Sequence, residues 1–299
     1  MRIRSPTLGG SEPFRYDASE DRMSVVGESD GVLPTEIDTS QPSIARVYDA
    51  FLGGKDNYEV DRAVYRQLLE IAPETPQVAR QCRAWLTRVV RFLAGHAGVD
   101  QFLDCGSGLP TAENTHQVAQ RYNPEARVVY VDNDPVVAAH GRALLEENEF
   151  THFVAADLRH PAELLRSPAV AERLDFERPI ALIHSNTLHH VADAERPRDI
   201  ISSYVDGLPS GSYVAISHLY DPADGSPRSE LAREAQQRFI NLMGTCFFRT
   251  RDEITAFFDG LEFVEPGLTY LFEWWPEGPR LTPPADGEHL LLGGVARKP

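Results

Sequence analysis

The run Phe102-Leu103-Asp104-Cys105-Gly106-Ser107-Gly108 sets an acid just before a Gly-x-Gly turn. Residues of this kind can hold a small ligand against exposed main chain, because glycine permits a tight turn and close backbone approach. A nicotinamide dinucleotide would want Gly-x-Gly-x-x-Gly, with its pyrophosphate on a helix N-terminus. Pro110 intervenes here and Thr111 takes the third position, so that fingerprint is incomplete. The acid before the turn also suits a cation better than a diphosphate. Twenty-six residues beyond Gly106, a second apolar run ends in Asp132-Asn133-Asp134-Pro135. A carboxylate at such a strand tip can accept both hydroxyls of a ribose. A third run ends in Ala156-Asp157-Leu158, where the acid can accept from an adenine amino group while the leucine packs on the ring.

These strand tips describe a pocket for an adenosine with a compact cationic tail, and S-adenosylmethionine fits that description. Its candidate contacts are Asp104, Gly106, Gly108, Asp132, Asn133, Asp157 and Leu158, with Ser185 placed to touch the methionine end. Each has a plainer role to set beside this one. The glycines can form a mere strand–helix turn, and Asp132 or Asp157 can cap a helix. Asp134 suits the capping role before Pro135 better than Asp132 does.

Methyl transfer is an in-line displacement in which alignment supplies much of the rate. A general base is needed only where the acceptor must lose its proton early. His189 and His190 follow a fourth apolar run, with His184 upstream and His218 and Tyr220 after a fifth. A structural hydrogen-bonding role is the expectation for these histidines, and no catalytic residue is assigned. Adjacent histidines normally point apart, so no metal site is expected. Trp274 and Trp275 can stack on a flat acceptor but sit where core residues are expected. The Asn-Pro-Pro-Tyr segment that suits amino-group methylation of nucleobases is missing, and Ser185-Asn186-Thr187-Leu188 stands instead.

The elements that must position these residues are legible as periodicities. The first forty residues hold eight acids and four arginines without sustained apolar spacing, which predicts a flexible acidic tail over 1–41. Three amphipathic stripes then predict a helical region over 42–95. They are Ile44 to Leu52 before Gly53-Gly54, Val60 to Ile71 before Pro73, and Val78 to Leu93 before Gly95. Its polar cluster after a glycine break suggests a lid over a bound ligand. Arg46, Tyr48 or Tyr58 is expected to approach the ligand, with Arg46 and Tyr58 counted among the cofactor contacts.

From 96 to 299, strands over 101–105, 127–132, 153–157, 180–185 and 213–218 alternate with helical sequence. That rhythm predicts an α/β fold with a parallel sheet wound on both faces. Ser226 and Pro227 open a long helix carrying Leu231, Ala235, Phe239 and Leu242 on one face. Strand-like runs at 261–265, 268–274 and 289–296 predict a closing antiparallel strand.

Twenty-nine Lys plus Arg against forty-five Asp plus Glu leave a formal charge of −16. Phosphate backbones and anionic membranes are therefore disfavoured as partners, and a small-molecule acceptor is favoured. Three scattered cysteines form no CxxC pair, and no apolar run approaches a membrane span or a signal-peptide core. A cytoplasmic setting is the expectation; oligomeric state is not legible.

The chain resembles the class I S-adenosylmethionine-dependent methyltransferases, and more narrowly a bacterial family first catalogued as a domain of unknown function. The narrower likeness rests on Pro42-Ser43-Ile44-Ala45-Arg46-Val47-Tyr48-Asp49-Ala50-Phe51-Leu52-Gly53-Gly54-Lys55-Asp56-Asn57-Tyr58 with Asp61-Arg62. It extends through Leu188-His189-His190-Val191, Gly211-Ser212-Tyr213 to Ser217-His218, and Phe258 to Gly267. The resemblance implies a Rossmann-like, doubly wound, mostly parallel seven-stranded sheet with a C-terminal antiparallel strand and an N-terminal helical extension. It also implies S-adenosylmethionine as cofactor, with Asp104 as the first-motif acid, Asp132 as the ribose carboxylate and Asp157 on the adenine side. The acceptor is left open. So are two other classes: a silent S-adenosylmethionine-binding sensor or partner protein, and a dinucleotide oxidoreductase.

Overall fold

The computed structural model describes residues 37–299 apart from 112 and 145–147. Most of the expected tail lies outside the described residues. In its last part Ile37 packs on the core, and the buried Arg46 guanidinium donates to the carbonyls of Asp38 and Gln41. A buried guanidinium needs its donors satisfied, and these carbonyls supply partners.

Three helices come first: α1 (Ile44–Leu52), α2 (Glu59–Leu69) and α3 (Thr75–Gly95). The α/β part follows as β1 (Gln101–Cys105), α4 (Thr115–Ala119), β2 (Arg127–Asp132), α5 (Pro135–Leu144) and β3 (Thr151–Ala155). It continues with α6 (Pro161–Arg166), α7 (Pro168–Ala171), β4 (Ala181–Ser185), α8 (Pro197–Gly207) and β5 (Tyr213–Leu219). The chain closes with α9 (Pro227–Met243), α10 (Arg251–Thr255), β6 (Glu262–Phe263), β7 (Thr269–Tyr270) and β8 (Leu291–Arg297).

The strands order as β3-β2-β1-β4-β5-β8-β6, and β7 also pairs with β8. β3 to β5 run parallel; β8 runs antiparallel to β5, with Ser217 opposite Gly293. This is the expected Rossmann-like sheet with one strand more than the seven expected. The extra strand arises because the stretch 268–274 pairs only at Thr269 and Tyr270 before turning away. Trp274 then drops into the core against Trp85, with ring centroids 6.5 Å apart.

Both sheet faces are covered, so consecutive strand residues enter opposite cores. Phe102, Tyr130 and Ile183 pack with Trp85 and Val89 of α3, whereas Leu103, Val129 and Leu182 pack with Tyr204 of α8. The helix α3 is thus part of the sheet's own core. α1 and α2 form a separate cluster in which Val47, Phe51, Val64 and Leu68 meet Phe239 and Met243 of α9. Among the described residues, no helix is long and apolar enough to cross a membrane.

Candidate active site

The parallel strands end together beneath α1, α3 and α9, and a cavity of about 490 Å³ lies there. Asp104 closes β1 as a buried side chain, and its Oδ2 accepts from Thr115 Oγ1 at 2.7 Å. Burial raises its pKa, against the opposing pull of Thr115 and the nearby Arg83. Gly106 follows with φ +72, and a Cβ there would lie 2.3 Å from Thr187 Cγ2. The turn therefore needs glycine twice over, for its backbone angle and for the space against Thr187.

Asp132 closes β2 and braces that turn, since Gly108 N donates to its Oδ2 at 2.9 Å and Asp134 N to its Oδ1 at 3.0 Å. Burial pushes its carboxyl up to about 6. Asp134 takes the capping role, accepting from Val136 N at 2.7 Å and Val137 N at 3.2 Å. Its second oxygen accepts from Ser43 Oγ, which joins the start of α1 to the tip of β2. Asn133 and Leu158 also border the cavity.

Asp157 does not. Its carboxylate is taken by Arg159, with Nε at 2.9 Å and Nη2 at 2.5 Å from Oδ2. Burial alone would raise its pKa, and the bonds from Arg159 pull it below the usual carboxylate value. The acid expected at the adenine amino group is engaged elsewhere, and Leu158 borders the cavity without it.

Two further residues expected at the ligand lie on the helical side. Arg46 is buried and paired with Asp61, with Nε and Oδ2 2.9 Å apart, and it does not border the cavity. Tyr58 stands outside the cavity with its ring 5.1 Å from the Arg46 guanidinium carbon. The polar signature is a lattice that fastens α1 to α2. Asp61 also accepts from Ser43 N and Tyr58 N, while Asp49 accepts from Asp56 N and Asn57 Nδ2. Gly54 is forced by that lattice: a Cβ there would sit 1.9 Å from Asp49 Oδ1. Of the three residues expected to approach the ligand, Tyr48 alone borders the cavity.

At the end of β4, Ser185 borders the cavity and Asn186 adopts φ +59. Ser217 Oγ accepts from Asn186 N at 3.0 Å, which helps to hold this uncommon backbone. A 3₁₀ turn over Leu188–His190 then brings His189 and His190 to the cavity, ring centroids 4.4 Å apart. Arg249 braces the turn by donating to the carbonyls of Leu188 and Val191 and to His218 Nε2. Burial lowers the histidines: His190 to about 4, His218 to about 3, and His189 well below its ordinary value. All three rings are neutral at pH 7. His184 is buried away from the cavity, and the same cause lowers it to about 3. Among the described residues, no three His, Cys, Asp or Glu side chains stand together as metal ligands would.

Cys82, Arg83, Asn186, Phe239 and Met243 also border the cavity, and their sequence context did not mark them as a site. Cys82 and Phe239 sit on apolar helical stripes, where a core residue and a cavity-wall residue look alike.

The residues fit S-adenosylmethionine. The buried Asp104 and the half-buried Asp132 stand at the tips of adjacent strands, the glycine turn exposes main chain between them, and Ser107 Oγ is buried without a partner among the described residues. A sulfonium, an ammonium and a ribose would find opposite charge and acceptors in this set. The family model described as S-adenosyl methyltransferase matches residues 30–299. The chain belongs to this family. Two solved structures are similar to this S-adenosyl methyltransferase. A candidate methyltransferase from Thermobifida fusca YX is 43% identical, with 87% of this chain and 96% of that one covered at a TM-score of 0.82. A DUF574 family protein from Streptomyces avermitilis MA-4680 is 37% identical, with 88% and 99% covered at a TM-score of 0.82. No curated protein matches the sequence. Membership makes S-adenosylmethionine the methyl donor and requires a methyl acceptor.

Proposed function

We propose that this methyltransferase acts on a small-molecule acceptor, at oxygen or nitrogen, by in-line transfer. The observation that carries the reading is a cavity in which the acids of β1 and β2 share one space with the apolar faces of α1 and α9. Its size falls in the ~300–1,000 Å³ range usual for small ligands. When bound, the cofactor supplies an activated methyl carbon. Asp132 and Asn133 would hold the ribose, Asp104 and the Gly106–Gly108 turn the methionine end, and Leu158 the adenine face. The helices α1 and α9 close the space and exclude water, which strengthens each of these charged contacts. The formal charge of −16 supports an acceptor that is not a nucleic acid.

Calorimetric titration with S-adenosylmethionine, S-adenosylhomocysteine and NADH tests this reading. Micromolar binding of the first two, without NADH binding, is expected. Folded, ligand-free protein that binds neither would end it. Formation of S-adenosylhomocysteine with any supplied acceptor separates an enzyme from a silent sensor.

A further inference from the structure

The methionine end of the cofactor carries two charges, and Asp104 answers only one of them. Its ammonium and its carboxylate share a carbon, so a pocket that encloses both needs an acid and a cation side by side. Acids are plentiful around the cavity: Glu74, Asp104, Asp132 and Asp134 all border it. Arg83 of α3 is the only lysine or arginine among the described residues that do. The histidines there are neutral and add no charge.

Arg83 stands beside Asp104. Its Nη2 donates to Glu113 O at 2.7 Å, and two residues on, Thr115 Oγ1 donates to Asp104 Oδ2 at 2.7 Å. The short entry to α4 thus fastens both the guanidinium and the carboxylate. The positive charge of Arg83 reaches Asp104 and opposes the rise in pKa that burial causes. Yet among the described residues no carboxylate lies within 4.0 Å of the guanidinium. Arg83 is half-buried, and most of its five donors remain after the bond to Glu113.

Building on the methyltransferase reading, we propose that Arg83 receives the α-carboxylate of the cofactor and makes the site selective for its amino-acid end. A guanidinium meets a carboxylate through two parallel N–H···O bonds, a match that lysine's point charge lacks. The neighbouring acid decides between this carboxylate and one on the acceptor. Only a ligand that also carries a cation makes use of both side chains. Arg83 and Asp104 therefore fix which way the cofactor lies, with its amino-acid end toward α3. An adenosyl sulfide without the carboxylate leaves Arg83 without its counter-charge.

The test is calorimetric titration of the full chain with S-adenosylhomocysteine and with S-adenosyl-3-thiopropylamine, the same molecule without its carboxylate. Wild type is expected to bind the first at least tenfold more tightly. Arg83→Gln keeps a donor for Glu113 O and removes the charge, and Arg83→Met removes both. In either variant the preference should shrink below threefold, through weaker S-adenosylhomocysteine binding, whereas Arg83→Lys should keep part of it. A structural role for Arg83 would weaken both ligands alike and leave their ratio unchanged. Any one folded variant is a sufficient comparison. Equal binding of the two ligands by wild type, or a ratio indifferent to the loss of the charge, overturns the proposal. Failure of both ligands to bind folded wild-type protein would remove the methyltransferase reading itself, a separate result.

Discussion

On the sheet wall of the cavity, the buried Asp104 and the half-buried Asp132 border the ligand space; on the helical wall, the buried acids Asp49 and Asp61 lie behind it. The first pair faces the cavity, and burial raises both pKa values, as it does for Asp49 behind the helical wall. Asp61, by contrast, accepts from Arg46 Nε, Ser43 N and Tyr58 N. An acid raised by burial that also borders the cavity is poised for a ligand that brings positive charge or hydroxyl donors. An acid with its partners already in place is a fastening. Density of polar residues therefore does not mark a site; whether they face the cavity does.

The strongest way to break this contrast is to remove one acid from each wall. Asp61→Ala leaves the Arg46 guanidinium buried without its ionic partner, and such losses run about 3–5 kcal/mol. Asp104→Asn keeps an acceptor for Thr115 Oγ1 and removes a charge that burial opposes. Its stability should stay within about 1 kcal/mol of wild type, on the scale of a single hydrogen bond. Urea unfolding of both variants compares them directly. Similar losses in the two would mean that both acids are structural.

Binding sharpens the comparison next. Asp132→Ala is expected to weaken S-adenosylmethionine by about 1–3 kcal/mol, through lost hydrogen bonds to a charged group. Calorimetry reads this as a fivefold or greater rise in Kd; an unchanged Kd would show that the ribose carboxylate lies elsewhere.

The same residue sets a pH dependence. Its folded-state pKa, raised by burial to about 6, exceeds the unfolded value of 3.8, so the protonated form is favoured on folding. Its contribution to ligand-free stability is therefore fullest below the unfolded value and is lost as pH rises through about 6. Cofactor binding runs the other way, because ribose hydroxyls and a cationic tail favour the ionised carboxylate. Affinity should fall as pH drops below about 6, by at most about tenfold per unit. Titrations at stepped pH check this, and the dependence should flatten in Asp132→Asn. An affinity that rises on acidification would contradict the assigned role.

The sheet was legible because its strands are apolar runs ending in acids, a local pattern that the fold leaves unchanged. The helices α1, α2 and α3 were equally legible from their stripes. The partners of Arg46 and Tyr58 were not legible, because local sequence shows a polar side chain but not what it meets, and Asp61 lies fifteen residues from Arg46. The far wall was hidden for a different reason. Phe239 and Met243 are apolar residues on an apolar helical face, and only the tertiary gap between α9 and the strand tips makes them a wall. The pairing of Asp157 was not legible even at two residues' range, where Arg159 reaches back to it.

Asp157 supplies the smallest expected effect and the finest test of the contrast. With side chains 23% and 44% exposed, Asp157 and Arg159 form a surface pair, and such pairs are worth about 0–1 kcal/mol. Asp157→Ala should therefore change both stability and cofactor affinity little, by less than about threefold in Kd. Leu158→Ala, one residue along, removes apolar area that borders the cavity, and burial of that kind is worth about 25 cal/mol per Å². Its Kd should rise more than that of Asp157→Ala in parallel titrations. The reverse order would mean that Asp157 lets go of Arg159 when the adenosine arrives. The adenine side would then join Asp104 and Asp132 as a place where an acid waits for its ligand.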